Sequence, residues 1–146
     1  MELLIRPFCA EDIEEVSALD EKIFTRPWSR SDYEKLLTKD YYLYLVALEN
    51  GRIVGFCGMI NVCGEGDIDR VMVDEKYRNQ SIANQMLTHL LKLGDLAGIE
   101  AYTLEVRAGN AAAIHVYEKL GFVSEGIRPG FYDRPVEDAV IMWRRQ

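Results

Sequence analysis

Three places in this chain carry residue types whose spacing could do chemistry. The first is Arg78-Asn79-Gln80-Ser81-Ile82-Ala83, between a predicted strand and a long segment of helical apolar period. Unpaired backbone N–H groups and the positive end of a helix dipole converge at such a junction, which suits a diphosphate. Ser81 and Ala83 are small enough for phosphate oxygens to approach the backbone, and Arg78 supplies a charge-assisted contact. The same residues read equally well as a capped helix start with Ser81 near the N-cap. The second place is Leu104-Glu105-Val106-Arg107, a strand with a carboxylate in its middle, followed by a helix that opens at Asn110 and carries Tyr117. Spacing alone makes Glu105 a solvent-facing charge. It makes Tyr117, in series with Ala113 and Leu120, a core aromatic whose hydroxyl can still reach the surface. The third place holds Cys57 and Cys63 on one predicted strand. Neither neighbours a histidine, so both read as small apolar fillers rather than nucleophiles.

The elements that must position these residues follow from periodicity. A short strand spans residues 3–6, and Ile13, Val16, Leu19 and Ile23 recur at helical spacing. Pro27-Trp28 is a hinge before Ser29-Arg30-Ser31-Asp32, a capping box with Asp in place of Glu or Gln, which opens a second helix through Leu37. Residues 41–48 are aromatic and β-branched, Asn50-Gly51 is a hairpin turn, and residues 52–62 return as a strand. A turn at Gly64-Glu65-Gly66 then leads into a strand over 67–73, where Val71, Met72 and Val73 read as core. The spacing predicts a helix over 82–97 stopped by Gly98, a strand over 101–106, and a helix over 111–120 stopped by Gly121. Strands over 122–127 and 139–143 complete the chain.

Composition narrows the class. At 146 residues, with 49% hydrophobic and 28% charged residues, the chain matches one soluble domain with one core, spanning 1–146. No segment has the apolar length of a membrane span, and the N-terminus lacks the features of a signal peptide, so a cytoplasmic protein is expected. A net charge of −7 argues against direct nucleic-acid binding and favours a basic substrate. Three cysteines without a C-x-x-C and two histidines leave no zinc spacing, so no metal is expected.

In their order, these elements resemble the GNAT superfamily of acyl-CoA-dependent N-acetyltransferases. The run LEVRAGNAAAIHVYEKLGF, the hinge RPWS and the tail FYDRPVEDAVIM are similar to the RimI-type acetyltransferases of ribosomal-protein N-termini, over residues 5–142. The resemblance implies an α/β GNAT fold, a mixed, mostly antiparallel sheet flanked by helices, with strands 4 and 5 splayed for acyl-CoA. It implies acetyl-CoA as cosubstrate, with Arg78, Asn79, Gln80, Ser81, Ile82 and Ala83 at the pyrophosphate. Val71, Met72 and Val73 would pair with the pantetheine arm through their backbone, and Asn110 would bond the same arm. Ser81 stands where the family pattern has its first Gly. Glu105 would be the base on the amine and Tyr117 the acid at the sulfur. Trp28, Tyr132, Glu137 and Asp138 would flank a groove for a peptide N-terminus. Trp28 as a staple between helices and Glu137-Asp138 as a solvated turn fit the sequence as well. The implied reaction is direct acetyl transfer to a ribosomal protein's N-terminal amine, from a monomer or weak dimer. A polyamine acetyltransferase and a non-catalytic acyl-CoA sensor are the alternatives.

Overall fold

In the computed structural model, which describes residues 3–78 and 81–145, a seven-stranded sheet runs in the order β1-β2-β3-β4-β5-β7-β6. The strands are β1 (Leu3–Pro7), β2 (Tyr42–Glu49), β3 (Arg52–Val62), β4 (Glu65–Val73), β5 (Ala101–Arg107), β6 (Val123–Tyr132) and β7 (Glu137–Arg145). The α-helices are α1 (Ile13–Ile23), α2 (Arg30–Lys35), α3 (Ile82–Leu96) and α4 (Ala111–Lys119).

The first hairpin forms where Asn50 and Gly51 both take positive φ, 51° and 76°, the geometry that matches the twist of the flanking strands. The second turn is Cys63-Gly64, at φ 51° and 89°, and β4 already begins at Glu65. The expected turn at Gly64-Glu65-Gly66 is therefore one residue late. Gly66 is instead a ladder position pressed against the Tyr102 ring, with no room for a Cβ. All neighbouring strands are antiparallel except β4 and β5, which the crossover through α3 makes parallel.

Alternation along β2 divides the core. Leu45 and Ala47 face a cluster with Met86, Leu87 and Leu90 of α3 and Tyr117 of α4. Tyr44, Val46 and Leu48 face a second cluster with Ile13, Val16 and Leu19 of α1 and Tyr33 of α2. Helix α2 starts as its capping box requires, with the Ser29 hydroxyl accepting from Asp32 N at 3.1 Å and Asp32 accepting from Ser29 N at 2.8 Å. Strands β6 and β7 run further than the alternation indicates, because they pair with each other beyond the core, out to Tyr132 opposite Glu137.

Candidate active site

The parallel ladder between β4 and β5 begins at Glu65 opposite Ala101 and stops at Ile68 opposite Leu104. Beyond that point the strands part. The cause is visible on the other side of β4, where Met59 faces Ile68 and Gly58 faces Arg70, so Asp69 is an extra, bulged residue. A bulge bends and twists its strand, which takes the end of β4 away from β5. It also turns Asp69 and Arg70 to the same face, although strict alternation would separate them. Asp69 accepts from the Tyr44 hydroxyl at 2.6 Å, and Arg70 donates to Asp20 of α1 at 2.5 Å.

Two cavities meet at this fork and share Phe24, Val71, Asn110 and Tyr117 in their walls. The larger, about 830 Å³, takes its walls from Val71, Met72, Val73, Arg78, Ser81, Ile82, Ala83 and Asn110, the described residues expected at an acyl-CoA. Asn79 and Gln80 lie outside the described residues. Where β5 has departed, the β4 backbone edge from Asp69 onward is free of a strand partner and open to an amide-rich ligand. Asn110 caps α4 by accepting from Ala113 N at 3.2 Å, which leaves its amide N–H groups for a ligand. Ser81 is the N-cap of α3, yet its side chain makes no cap bond among the described residues, and its backbone is left-handed at φ 56°, ψ 22°. The first helical bond runs from Gln85 N to Ser81 O, so the N–H groups of Ile82, Ala83 and Asn84 have no intrahelical acceptor. The glycine of the family pattern thus has a conformational reason, since a left-handed residue with a Cβ costs about 1 kcal/mol. Sequence reading attributes that glycine to phosphate clearance only.

The smaller cavity, about 520 Å³, lies on the α1/α2 face and includes Arg70, Asp67, Asp69, Glu105, Phe131 and Tyr132. Glu105 is the first residue of β5 past the last paired position, and Arg128 Nε of β6 stands 2.5 Å from its Oε2. Tyr117 is 7% exposed, in the wall common to both cavities. Burial, with a smaller contribution from Cys57, raises its hydroxyl above the usual tyrosine value, so it holds its proton at neutral pH and has one to give. Tyr132 lies under the Arg107 guanidinium at 4.5 Å, and burial and the charge of Glu105 raise its hydroxyl as well.

The remaining expected acceptor residues sit elsewhere. Trp28 packs edge-on against Tyr33 at 5.4 Å, with the Arg70 guanidinium 4.6 Å over its ring, and its backbone N–H donates to Asp20 at 2.9 Å. Glu137 accepts from Gly109 N at 2.5 Å and Arg107 at 3.2 Å, which ties the β5–α4 loop to β7. Asp138 accepts from Gly130 N at 2.9 Å. All three hold the walls of the cleft in place and stand outside the residues that face the smaller cavity.

Sequence reading misses Asp20, Tyr33, Arg70, Asp69 and Tyr44. Asp20 is fully buried and accepts from Tyr33 at 2.5 Å as well as from Arg70 and Trp28. The only signal available for it is an acid on the apolar stripe next to Leu19, where helical period calls for a nonpolar residue. Cys57 is enclosed in the core beside Tyr117, and burial pushes its thiol up to about 12, so no thiolate is available for acyl transfer. Among the described residues no group of histidines, cysteines and acids could hold a metal, and no helix is long and apolar enough to cross a membrane.

Residues 13–122 match the model of the acetyltransferase (GNAT) family. The ribosomal protein bS18-alanine N-acetyltransferase of Escherichia coli K12 is 32% identical over 85% of the chain and 84% of its own length. A Bacillus subtilis relative, provisionally designated the same enzyme, is 34% identical over 95% of the chain and 93% of its length. The crystal structure of the Escherichia coli ribosomal-protein-S18-alanine N-acetyltransferase superposes with a TM-score of 0.91 at 29% identity, covering 99% of this chain and 94% of that one.

Proposed function

The chain belongs to the GNAT acetyltransferase family, and from that premise we propose that it transfers acetyl from acetyl-CoA to the N-terminal α-amine, an alanine's, of a ribosomal protein. The observation that carries this reading is the fork itself. Pairing ends one residue before Glu105, and Tyr117 lies in the wall common to a cofactor-sized and an acceptor-sized cavity. The names of relatives that match most of the chain support the choice of acceptor.

The residues present fit acetyl-CoA. The N–H groups of Ile82, Ala83 and Asn84, which have no acceptor within α3, and the Arg78 guanidinium suit its diphosphate, and the β4 edge of Val71, Met72 and Val73 suits its amide arm. Bound there, it supplies an activated acetyl group. Glu105 takes a proton from the amine as the N–C bond forms, directly or through water. Tyr117 gives its proton to the sulfur as the C–S bond breaks, and solvent restores both groups after the products leave. An α-amine has a pKa of about 7.7–8.0, so the base has little to do near neutral pH. The high value of the Cys57 thiol supports direct attack over an acetyl-cysteine route. A reducing, cytosolic setting accords with three free thiols.

The acids Asp67 and Asp69 in the acceptor cavity also suit a small polyamine. CoA release measured with acetyl-CoA against N-terminal peptides, a lysine peptide and spermidine separates these readings. Preference for peptides beginning with Ala is the expected outcome. Preference for spermidine replaces the acceptor, and CoA binding without release removes the enzyme reading.

A further inference from the structure

The acceptor cavity has four carboxylates in its wall, Asp67, Asp69, Glu105 and Asp133. Two of them are already matched by cations. Arg128 stands 2.5 Å from Glu105, and Arg26 is paired with Asp133 at 2.5 Å. The other cations of the wall are engaged too, Arg70 with the buried Asp20 and Arg107 with Glu137. Asp67 and Asp69, among the described residues, have no cation at ion-pair distance, so the uncompensated charge of the cavity lies on β4 and not on the base.

Of the two, Asp69 is the one the fold aims. The bulge turns it into the cleft at the position where β4 parts from β5, with Glu105 at the same level on the opposite strand. The Tyr44 hydroxyl holds its Oδ1 at 2.6 Å. Tyr44 is itself held by packing, since its ring lies across Gly58, where a Cβ would come within 1.8 Å of it, and stacks on Phe56 at 5.7 Å and 19°. The carboxylate is thus fixed from behind while its front stays open to the cavity. Protein crowding, and Asp67 nearby, push the carboxyl up to about 6, which leaves it anionic at neutral pH and improved by a cationic partner.

We propose that Asp69, braced by Tyr44, receives the acceptor's ammonium group and sets it at the fork beside Glu105, so that only acceptors arriving as unblocked cations are held. The proposal rests on the acetyl-transfer reading for the identity of the cleft, and it divides the labour there. Asp69 binds the amine in its protonated form, the ammonium proton leaves to solvent to give the neutral amine, Glu105 takes the second N–H proton as the N–C bond forms, and Arg128 keeps Glu105 from competing as the docking group. The acetylated product is neutral, so the group that captures the substrate has no hold on the product.

The test is a binding ratio that does not depend on turnover. Calorimetry on the CoA-loaded protein compares an Ala-starting peptide with the same peptide N-acetylated. The wild type is expected to prefer the free amine by roughly 10- to 100-fold, the range of a charge-assisted hydrogen bond. Asp69→Asn should bring the ratio to within about threefold of one, and Asp69→Glu should restore part of it. Glu105→Gln should keep the ratio while losing CoA release. An undiminished ratio in Asp69→Asn, or equal binding of both peptides by the wild type, overturns the proposal. Loss of CoA release with every amine while the ratio persists sinks the transfer reading instead and leaves Asp69 as the ammonium site.

Discussion

The two limbs of the cleft are built from different materials. The limb proposed for the cofactor is mostly backbone: the edge at Val71, Met72 and Val73 with no strand on the β5 side, the N–H groups at the start of α3 that have no intrahelical acceptor, and one arginine. The limb proposed for the acceptor is mostly side chains, contributed by α1, β2, β4, β5 and β6, with Asp20 bonded to Arg70, Tyr44 to Asp69, and Arg128 beside Glu105. A ligand held by backbone tolerates sequence change so long as the strands still part and the loop still turns. One held by side chains can be exchanged by changing a few residues while the fold stays as it is.

Substitutions at the junction should have the largest effects. Glu105→Gln and Tyr117→Phe should each lower turnover by about two to four decades with CoA affinity unchanged, as single-turnover kinetics and CoA titration will read. Wild-type rates in both variants would remove the acid–base pair. Next is Asp20→Asn, which leaves the Arg70 guanidinium buried without its counter-charge. It should cost about 3 kcal/mol in denaturant unfolding, and a cost near zero would make the Asp20–Arg70 pair dispensable. Smaller, and confined to the other limb, is Ser81→Asp, which should weaken CoA by at least about tenfold through repulsion in calorimetry. Ser81→Gly should bind CoA no worse and unfold at a higher temperature, because it relieves a left-handed serine. Equal CoA affinity in the Asp variant would take the phosphates away from this loop.

The smallest expected effect concerns pH. The Asp69 carboxyl is raised to about 6 in the folded protein against about 3.9 in an unfolded chain. The native state therefore binds more protons in that interval, and stability falls as pH rises from 4 to 6. Asp69→Asn should abolish the loss, giving a melting temperature slightly above wild type at pH 7 and equal to it below pH 4. Solvent in the open cleft keeps the difference small. A variant that is less stable at every pH would contradict the strain placed on this residue.

The elements around the larger cavity are legible from sequence because their determinants are local: Arg78, Ser81 and Ala83 sit at a helix start and Val71, Met72 and Val73 within one strand, while their assignment to a cofactor comes from the family resemblance. On the acceptor side, only the resemblance to a family run points to Glu105 and Tyr117, since spacing alone makes the first a surface charge and the second a core ring. The same resemblance puts Trp28, Glu137 and Asp138 beside the acceptor, and in the structure each is bonded to a neighbouring element, Trp28 to Asp20, Glu137 to Gly109 and Asp138 to Gly130.

What the sequence by itself determined is the order of the elements, the capping box at Ser29, the helix stops at Gly98 and Gly121, and the helix start that follows Arg78. Each depends on contacts within a few residues. Only the tertiary structure decided that Asp69 and Arg70 share a face, that an acid on α1 meets an arginine on β4, and that Tyr44 stands behind Asp69. Those outcomes turn on the register of β3 against β4, where Gly58 yields its space to a ring from β2. No local period in either strand records that register, because a bulge shifts alternation by one residue and only the cross-strand partner shows where.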